Sequence, residues 1–219
     1  MWPLFAALAL APFVALLAWW LTRGDRLDAD ALARLAAARG WTTSAAAVAD
    51  QESVVLAPPD GAWEVTVTRR KARSRGHQSR SSGLQTAWRA PLPSTEGLLA
   101  VRPGRRPSGP LAPPPALFQG LLARALAELG APGPIGELAP IDTGDTAFDL
   151  AHVAVTDAPA LGARLATPDD RALLARVAAL GATVVLARTG LQISVEGQPD
   201  GRQLDALVAA GTALAARWR

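Results

Sequence analysis

The sequence contains no cysteine and no tyrosine, and only two of its 219 residues are histidine. The missing cysteine excludes disulfides, thiolate nucleophiles and every zinc or iron–sulfur site that needs cysteine ligands. It does not fix the compartment, because cysteine-free domains occur on both sides of a membrane. Neither an HxxxH nor an HExxH spacing occurs, so a zinc site would have to bring both histidines together with carboxylates. We therefore predict no metal ion and no cofactor.

Nucleotide-binding and serine-hydrolase signatures are also missing. The chain has no GxGxxG sequence, no GxxxxGK[ST] phosphate loop and no GxSxG nucleophile elbow. Many active sites have no linear signature, so these absences weigh against an enzyme without excluding one. The net charge of +3 is small, and Lys71 is the only lysine among the 22 basic residues.

The first 22 residues carry no charged side chain, and the segment 3–21 has no strongly polar one. As a helix this segment would span about 28 Å, close to the ~30 Å hydrocarbon core of a bilayer. Tryptophans stand at both ends, where aromatic rings favour the membrane interface: Trp2, Trp19 and Trp20. We predict that residues 1–24 form one transmembrane anchor and that residues 25–219 form a soluble domain.

A cleaved signal peptide is the alternative for this segment, but it would lack a basic start and a small-x-small cleavage site.

Four arginines follow the segment and none precedes it: Arg23, Arg26, Arg34 and Arg39. The positive-inside rule then places the C-terminal domain in the cytoplasm. The overall pattern resembles that of bacterial membrane-anchored proteins, so the predicted location is the inner membrane, in single-pass topology.

The soluble part combines helix and strand patterns. A helix capped by Asp28 and ending at Gly40 comes first. The predicted strands cover 53–57, 62–69, 84–90, 97–102 and 146–155, with a hairpin over 183–187 and 191–196. Further helices are predicted over 116–129, from Thr167-Pro168 to Gly181, and from Pro199-Asp200-Gly201 to Trp218. This order predicts the α+β class: an antiparallel or mixed sheet with packed helices, preceded by one transmembrane helix.

The Pro-rich segment 103–115 leaves the domain organisation open. It either separates two lobes or forms a surface loop within one domain.

The sharpest chemical motif is Ile141-Asp142-Thr143-Gly144. A hydrophobic residue before Asp-Thr-Gly resembles the active-site loop of aspartic proteases, in which paired aspartates share a proton and activate water. The resemblance implies Asp142 as the catalytic residue, and a dimer as the active form, because small one-motif members of that family work as dimers. The chain departs from the family pattern at Asp145, where Ala or Ser is usual. Asp142, Asp145 and Asp149 supply too few closely spaced oxygens for a calcium loop.

The densest basic run is RRKARSRGHQSR at 69–80, between two predicted strands. Its candidate contact residues are Arg69, Arg70, Lys71, Arg73, Arg75 and Arg80. One interpretation is a solvated hairpin loop, and the other is contact with anionic lipid headgroups, worth ~1 kcal/mol per basic residue near the surface. Nucleic acid is a less favoured partner, because the nearest tryptophans fall at strand positions predicted to be buried.

These patterns together predict a single-pass membrane-anchored protein whose soluble domain binds a protein partner or organises a complex at the membrane surface. The predicted partners are the bilayer itself, anionic lipid headgroups and a protein that the sequence does not identify. An enzyme is the less favoured alternative, in the form of a membrane-anchored hydrolase with an aspartic-protease-like site at Asp142.

The lipid interpretation is testable by replacing Arg69, Arg70, Lys71, Arg73 and Arg75 with glutamine. Binding of the soluble domain to vesicles that contain anionic lipid should then fall by well over an order of magnitude, at ~1 kcal/mol per residue. Co-sedimentation with anionic vesicles measures the loss, and neutral vesicles serve as the control. Unchanged binding to the anionic vesicles would show that the run does not contact lipid.

Overall fold

The computed structural model describes residues 27–48, 51–70, 74–75, 78–79, 83–93, 96–105, 120 and 137–219. The predicted anchor at 1–24, nearly all of the predicted helix at 116–129, and most of the Pro-rich segment lie outside the described residues. In the described part of the chain, no helix is both long enough and apolar enough to cross a membrane.

The described residues form the following elements. The strands are β1 (Thr42–Val48), β2 (Gln51–Ala57), β3 (Glu64–Arg70), β4 (Ser74–Arg75), β5 (Gln78–Ser79), β6 (Gly83–Ala90), β7 (Leu99–Pro103), β8 (Ala139–Pro140), β9 (His152–Thr156), β10 (Thr183–Ala187) and β11 (Gly190–Glu196). The α-helices are α1 (Ala29–Ala37), α2 (Thr146–Ala151), α3 (Pro159–Gly162), α4 (Pro168–Ala178) and α5 (Gly201–Trp218), and one 3-10 turn covers Ala163–Leu165.

Nine of these strands form one antiparallel sheet in the order β1-β2-β3-β6-β11-β10-β7-β9-β8, while β4 and β5 pair separately. The α+β class and the antiparallel sheet are therefore confirmed. Strands from both sides of the Pro-rich segment pair directly, because β7 lies beside β9 with Val101 opposite Ala154.

The main hydrophobic core lies between one face of the sheet and the helices. Val65, Trp88 and Ile193 are cross-strand neighbours on three adjacent strands, and each is fully buried. Leu32 of α1 and Leu204 of α5 are buried in the same cluster. A second apolar cluster occupies the opposite face over β7, β9 and β10: Leu98, Ala100, Leu138, Val153, Val155, Val185 and Ala187.

The predicted helices at both ends of the domain and at 168 are confirmed, and each begins at a side-chain cap. Asp28 accepts a hydrogen bond from the Ala31 amide, and Thr167 accepts one from the Asp170 amide. At the start of α5, Asp200 and Gln203 form a reciprocal capping box. Such caps satisfy amides that have no partner within the helix, so local sequence alone sets these starts.

The predicted strand pattern is wrong over 146–151, and it omits β1 and the two-residue strands β4, β5 and β8. The strand predicted over 146–155 is a helix up to Ala151, because Asp145 accepts hydrogen bonds from the Ala147 and Phe148 amides and caps α2. Only His152–Thr156 is a strand. Strand β1 was not predicted, because all seven of its side chains are exposed and therefore show no apolar alternation.

Charged side chains connect the helices to one another. Arg39, just after α1, donates to both carboxylate oxygens of Asp205 in α5 at 2.6 and 2.7 Å, and these bonds hold the pKa of Asp205 below its ordinary value. Asp170 of α4 is buried and accepts from the Arg217 Nε at 3.3 Å and from the Trp218 indole at 3.2 Å. Both α1 and α4 are thereby tied to α5.

Gly211 determines how closely α5 approaches the sheet. A Cβ atom at this position would lie only 2.6–2.8 Å from three ring atoms of Trp88. Real Cβ atoms do not pack so closely, and both residues are buried, so the indole occupies the space that a side chain on Gly211 would need.

The Gly211→Ala substitution should therefore destabilise the domain, although alanine is the better helix former. Overpacking costs about 1–3 kcal/mol, and the gain in helix propensity offsets up to about 1 kcal/mol of it. Urea denaturation measures the change, with Thr212→Ala at the next, exposed position as the control. The control should lie within about 0.5 kcal/mol of the parent. A Gly211→Ala variant as stable as the parent would show that α5 shifts freely over Trp88.

Candidate interaction site

Asp142 lies in an exposed turn between β8 and α2. Its Oδ1 accepts a hydrogen bond from the Gly144 amide at 3.0 Å, and Gly144 has a positive φ of 74°. This is an Asx turn, in which a carboxylate binds the backbone two residues on. Asp142 therefore has a local backbone partner, and its role as a catalytic residue stays a prediction.

The two neighbouring aspartates also contact the backbone of this turn. Asp145 caps α2 and accepts a hydrogen bond from the Arg171 Nε at 3.2 Å. Asp149 accepts hydrogen bonds from the Thr143 amide at 3.2 Å and from the Thr143 hydroxyl at 2.9 Å. The three carboxylates thus organise one turn. Within the described ranges, no group of three or more acidic or histidine side chains is placed to hold a metal ion.

His152 is buried at the start of β9. Its Nδ1 lies 2.9 Å from the Phe148 carbonyl oxygen, to which the protonated nitrogen donates, and its ring stacks on Phe148 with centroids 4.2 Å apart. These contacts join the end of α2 to the sheet. They give the imidazole a structural role, with an aromatic ring rather than a carboxylate against its face.

The basic run 69–80 connects β3 to β6, and its two-residue strands β4 and β5 pair with each other. Near the end of β3, the Arg69 Nη1 lies 3.5 Å from the Oε2 of Glu52 on β2. Arg70 is exposed. For Arg75 only the strand backbone is described. Lys71, Arg73 and Arg80 lie outside the described residues, so the lipid contact stays a prediction.

The two edges of the nine-stranded sheet are very different. At one edge, β8 has two residues, and one of them is Pro140. At the other edge, β1 has seven exposed residues with the sequence TTSAAAV, and Val48 is 69% exposed. Edge strands are normally protected by shortness, proline, charge or a bulge. Strand β8 has two of these protections, whereas β1 is long, uncharged and free of proline.

The register of the β1–β2 hairpin shows which backbone groups of β1 face outward. Val48 pairs with Gln51 across a two-residue loop, so this pair exchanges hydrogen bonds, and every second residue of β1 then does the same with β2. The residues between them direct their N–H and C=O groups away from β2: Thr43, Ala45 and Ala47. No strand in the described part of the chain pairs with this outer side of β1.

The pH dependence of stability tests the capping role of Asp145. The hydrogen bond from the Phe148 amide, followed by the bond and charge of Arg171, holds the pKa of Asp145 below its ordinary value although burial opposes this. A lowered folded-state pKa means that the carboxylate stabilises the fold above an unfolded pKa of about 4, and that this contribution disappears as the pH falls through the folded pKa. Asparagine keeps the cap but removes the charge.

Asp145→Asn should therefore lower the free energy of unfolding at neutral pH, and the difference from the parent should shrink as the pH falls below about 4. Urea denaturation over that pH range measures both quantities. In the Arg171→Gln variant, the free energy of unfolding should depend less on pH, because Arg171 helps to lower the pKa of Asp145. A difference between Asp145→Asn and the parent that stays constant with pH would contradict this role.

Comparison with known proteins finds no matching family model, no matching curated protein and no matching solved structure.

Proposed function

We propose that this protein is a single-pass membrane-anchored interaction module, whose soluble domain binds an extended segment of a protein partner along β1. The observation that carries the proposal is the open edge of the sheet: β1 has seven exposed, uncharged residues and, among the described strands, pairs on one side with β2 alone. The apolar segment at 3–21 supports the anchor, and the arginines that follow it support a cytoplasmic domain.

Strand addition explains why an unprotected edge is useful. Thr43, Ala45 and Ala47 each offer one donor and one acceptor, and a partner strand that pairs with them completes the ladder. Each such hydrogen bond contributes about 0.5–1.5 kcal/mol net. Main-chain pairing provides the affinity in this mode of recognition, and side-chain pockets provide the specificity.

The side chains of β1 define the chemistry of the partner. They are threonine, serine, alanine and valine, so β1 offers no charge to pair with a charged partner strand. Small side chains also leave room for larger neighbours on the added strand. The expected partner segment is therefore extended, uncharged and rich in β-branched or aromatic residues, which favour strand pairing.

The hydrolase alternative at Asp142 receives less support from the geometry. Asp142 and Asp149 each bind backbone amides of one turn, and Asp145 binds amides at the start of α2. An aspartic-protease site instead needs two carboxylates that share a proton. If the chain has a peptidase activity that Asp142→Asn abolishes while the fold is retained, the alternative is correct.

The proposed binding mode is tested by replacing Ala45 with proline. Proline removes an outward N–H, and the β1–β2 ladder keeps its hydrogen bonds because the Ala45 N–H does not belong to it. Peptides selected from a displayed library for binding to the full chain in detergent micelles are the probes. Their affinity for Ala45→Pro should fall at least about tenfold, through the lost bond and the bulk of the ring.

Ala45→Val is the matched control, because it keeps the N–H and should bind as the parent does. Hydrogen exchange at the amides of Thr43, Ala45 and Ala47 should slow when the peptide binds, whereas Ser44 and Ala46, bonded to β2, should change little. Peptide binding that is indifferent to Ala45→Pro would contradict strand addition. A dimer of the parent that Ala45→Pro abolishes would show that a second copy, rather than a partner protein, occupies the edge.

A further inference from the structure

A cleft of about 450 Å³ opens at the end of the sheet where β2 and β6 end and β3 and β11 begin. This volume is in the range of sites that hold small organic ligands. One wall is polar and contains Glu64, Arg89 and Gln192, whereas Trp63 and Pro91 contribute apolar surface.

Strand register alone brings the three polar residues together. Arg89 of β6 is the direct cross-strand partner of Glu64 on β3 and of Gln192 on β11. The row lies on the face of the sheet opposite Trp88, since adjacent residues of a strand point to opposite faces. Gln192 is buried, with 9% of its surface exposed, whereas the side chains of Arg89 and Glu64 are 41% and 46% exposed.

The guanidinium of Arg89 is held in place by its cross-strand neighbours on both adjacent strands. Its Nε donates to the Gln192 Oε1 at 2.9 Å, and one Nη1 hydrogen reaches the Glu64 Oε1 at 3.4 Å. The amide of Gln192 is itself oriented, because its Nε2 donates to the Ser194 hydroxyl at 2.9 Å. A guanidinium has five N–H donors. In the described part of the chain the remaining donors of Arg89 have no protein acceptor, so they are available in the cleft.

The apolar wall is equally well defined. The ring of Trp63 packs edge-to-face on Trp41, with centroids 4.9 Å apart and an interplanar angle of 88°.

Across the cleft, Gly190 permits the β10–β11 turn to approach the end of β6, because a Cβ there would collide with the Ala90 carbonyl oxygen. The positive φ of 118° at Gly190 adds a second reason for glycine.

These walls together select one class of ligand. A planar guanidinium matches a carboxylate through two parallel hydrogen bonds. Glu64 offsets much of the Arg89 charge, so the cleft offers too little net positive charge to offset the larger desolvation cost of a doubly charged phosphate, and a monoanion is favoured. We propose that the cleft binds a monocarboxylate with an apolar or aromatic body, the carboxylate on Arg89 and the body against Trp63. This site is separate from β1, and the proposal does not depend on strand addition.

Two sources can supply such a carboxylate: a free organic acid, or the C-terminus of a peptide. The test is isothermal titration calorimetry of the full chain in detergent micelles with 3-phenylpropionate and with N-acetyl-Leu-Leu-Ala. The amide of each compound is the control for the charge. Ligands of this size should bind with a Kd on the order of 1 mM or better. The amides should bind at least about tenfold more weakly, since they lack the charge that a bidentate pair needs.

Variants change the affinity in opposite directions, which separates binding from loss of fold. Arg89→Gln and Trp63→Ala should each weaken carboxylate binding by about tenfold, because one removes the anion partner and the other removes the apolar wall. Glu64→Gln should tighten it severalfold, because the competing carboxylate is removed. Ala45→Pro should bind both carboxylates as the parent does, so the two proposals succeed or fail independently.

The relative affinities of the two carboxylates identify the source. Tighter binding of 3-phenylpropionate assigns the cleft to a free acid, and tighter binding of the peptide assigns it to a C-terminus. No heat from either carboxylate, equal binding of acids and amides, or an Arg89→Gln variant that binds as well as the parent would overturn the proposal.

Discussion

The contact between Trp88 and Gly211 sets the position of α5, and the helical layer depends on that helix. Trp88 is fully buried on a central strand, and its ring fills the space that a side chain on Gly211 would need. Once α5 lies at this distance, Asp205 can reach Arg39 beyond α1, and Trp218 can reach Asp170 on α4. A single close approach therefore influences where two further helices pack.

The same sheet produces both proposed sites, by different means. At β1 the backbone itself is the binding surface, because outward N–H and C=O groups have no neighbouring strand in the described part of the chain. In the cleft the side chains are the binding surface, since register aligns Glu64, Arg89 and Gln192 across three strands. The main core lies on the face opposite this polar row. The row can therefore vary in chemistry without disturbing the packing of Trp88.

The turn at Asp142 shows why a short motif is a weak guide to chemistry. Asp, Thr and Gly favour tight turns and helix starts, because short polar side chains bind nearby amides and glycine accepts a positive φ. In this chain Asp142 and Asp145 bind amides, and Gly144 has the positive φ. The residues that resemble an active-site loop thus also form the turn that leads into the cap of α2 at Asp145, and only their three-dimensional partners distinguish the two roles.

The sequence by itself determined the α+β class, the buried alternation of β3 and β6, and the helices that begin at Asp28, Thr167 and Asp200, because caps and periodicity are local properties. It did not predict β1, whose exposed faces leave no apolar alternation, and it gave 146–151 the wrong structure because the cap at Asp145 was not recognised. Only the tertiary structure decided the strand order, the open edge and the Glu64–Arg89–Gln192 row. Those features depend on pairing between residues up to about a hundred positions apart, Arg89 and Gln192 among them, and no local pattern specifies such a partner.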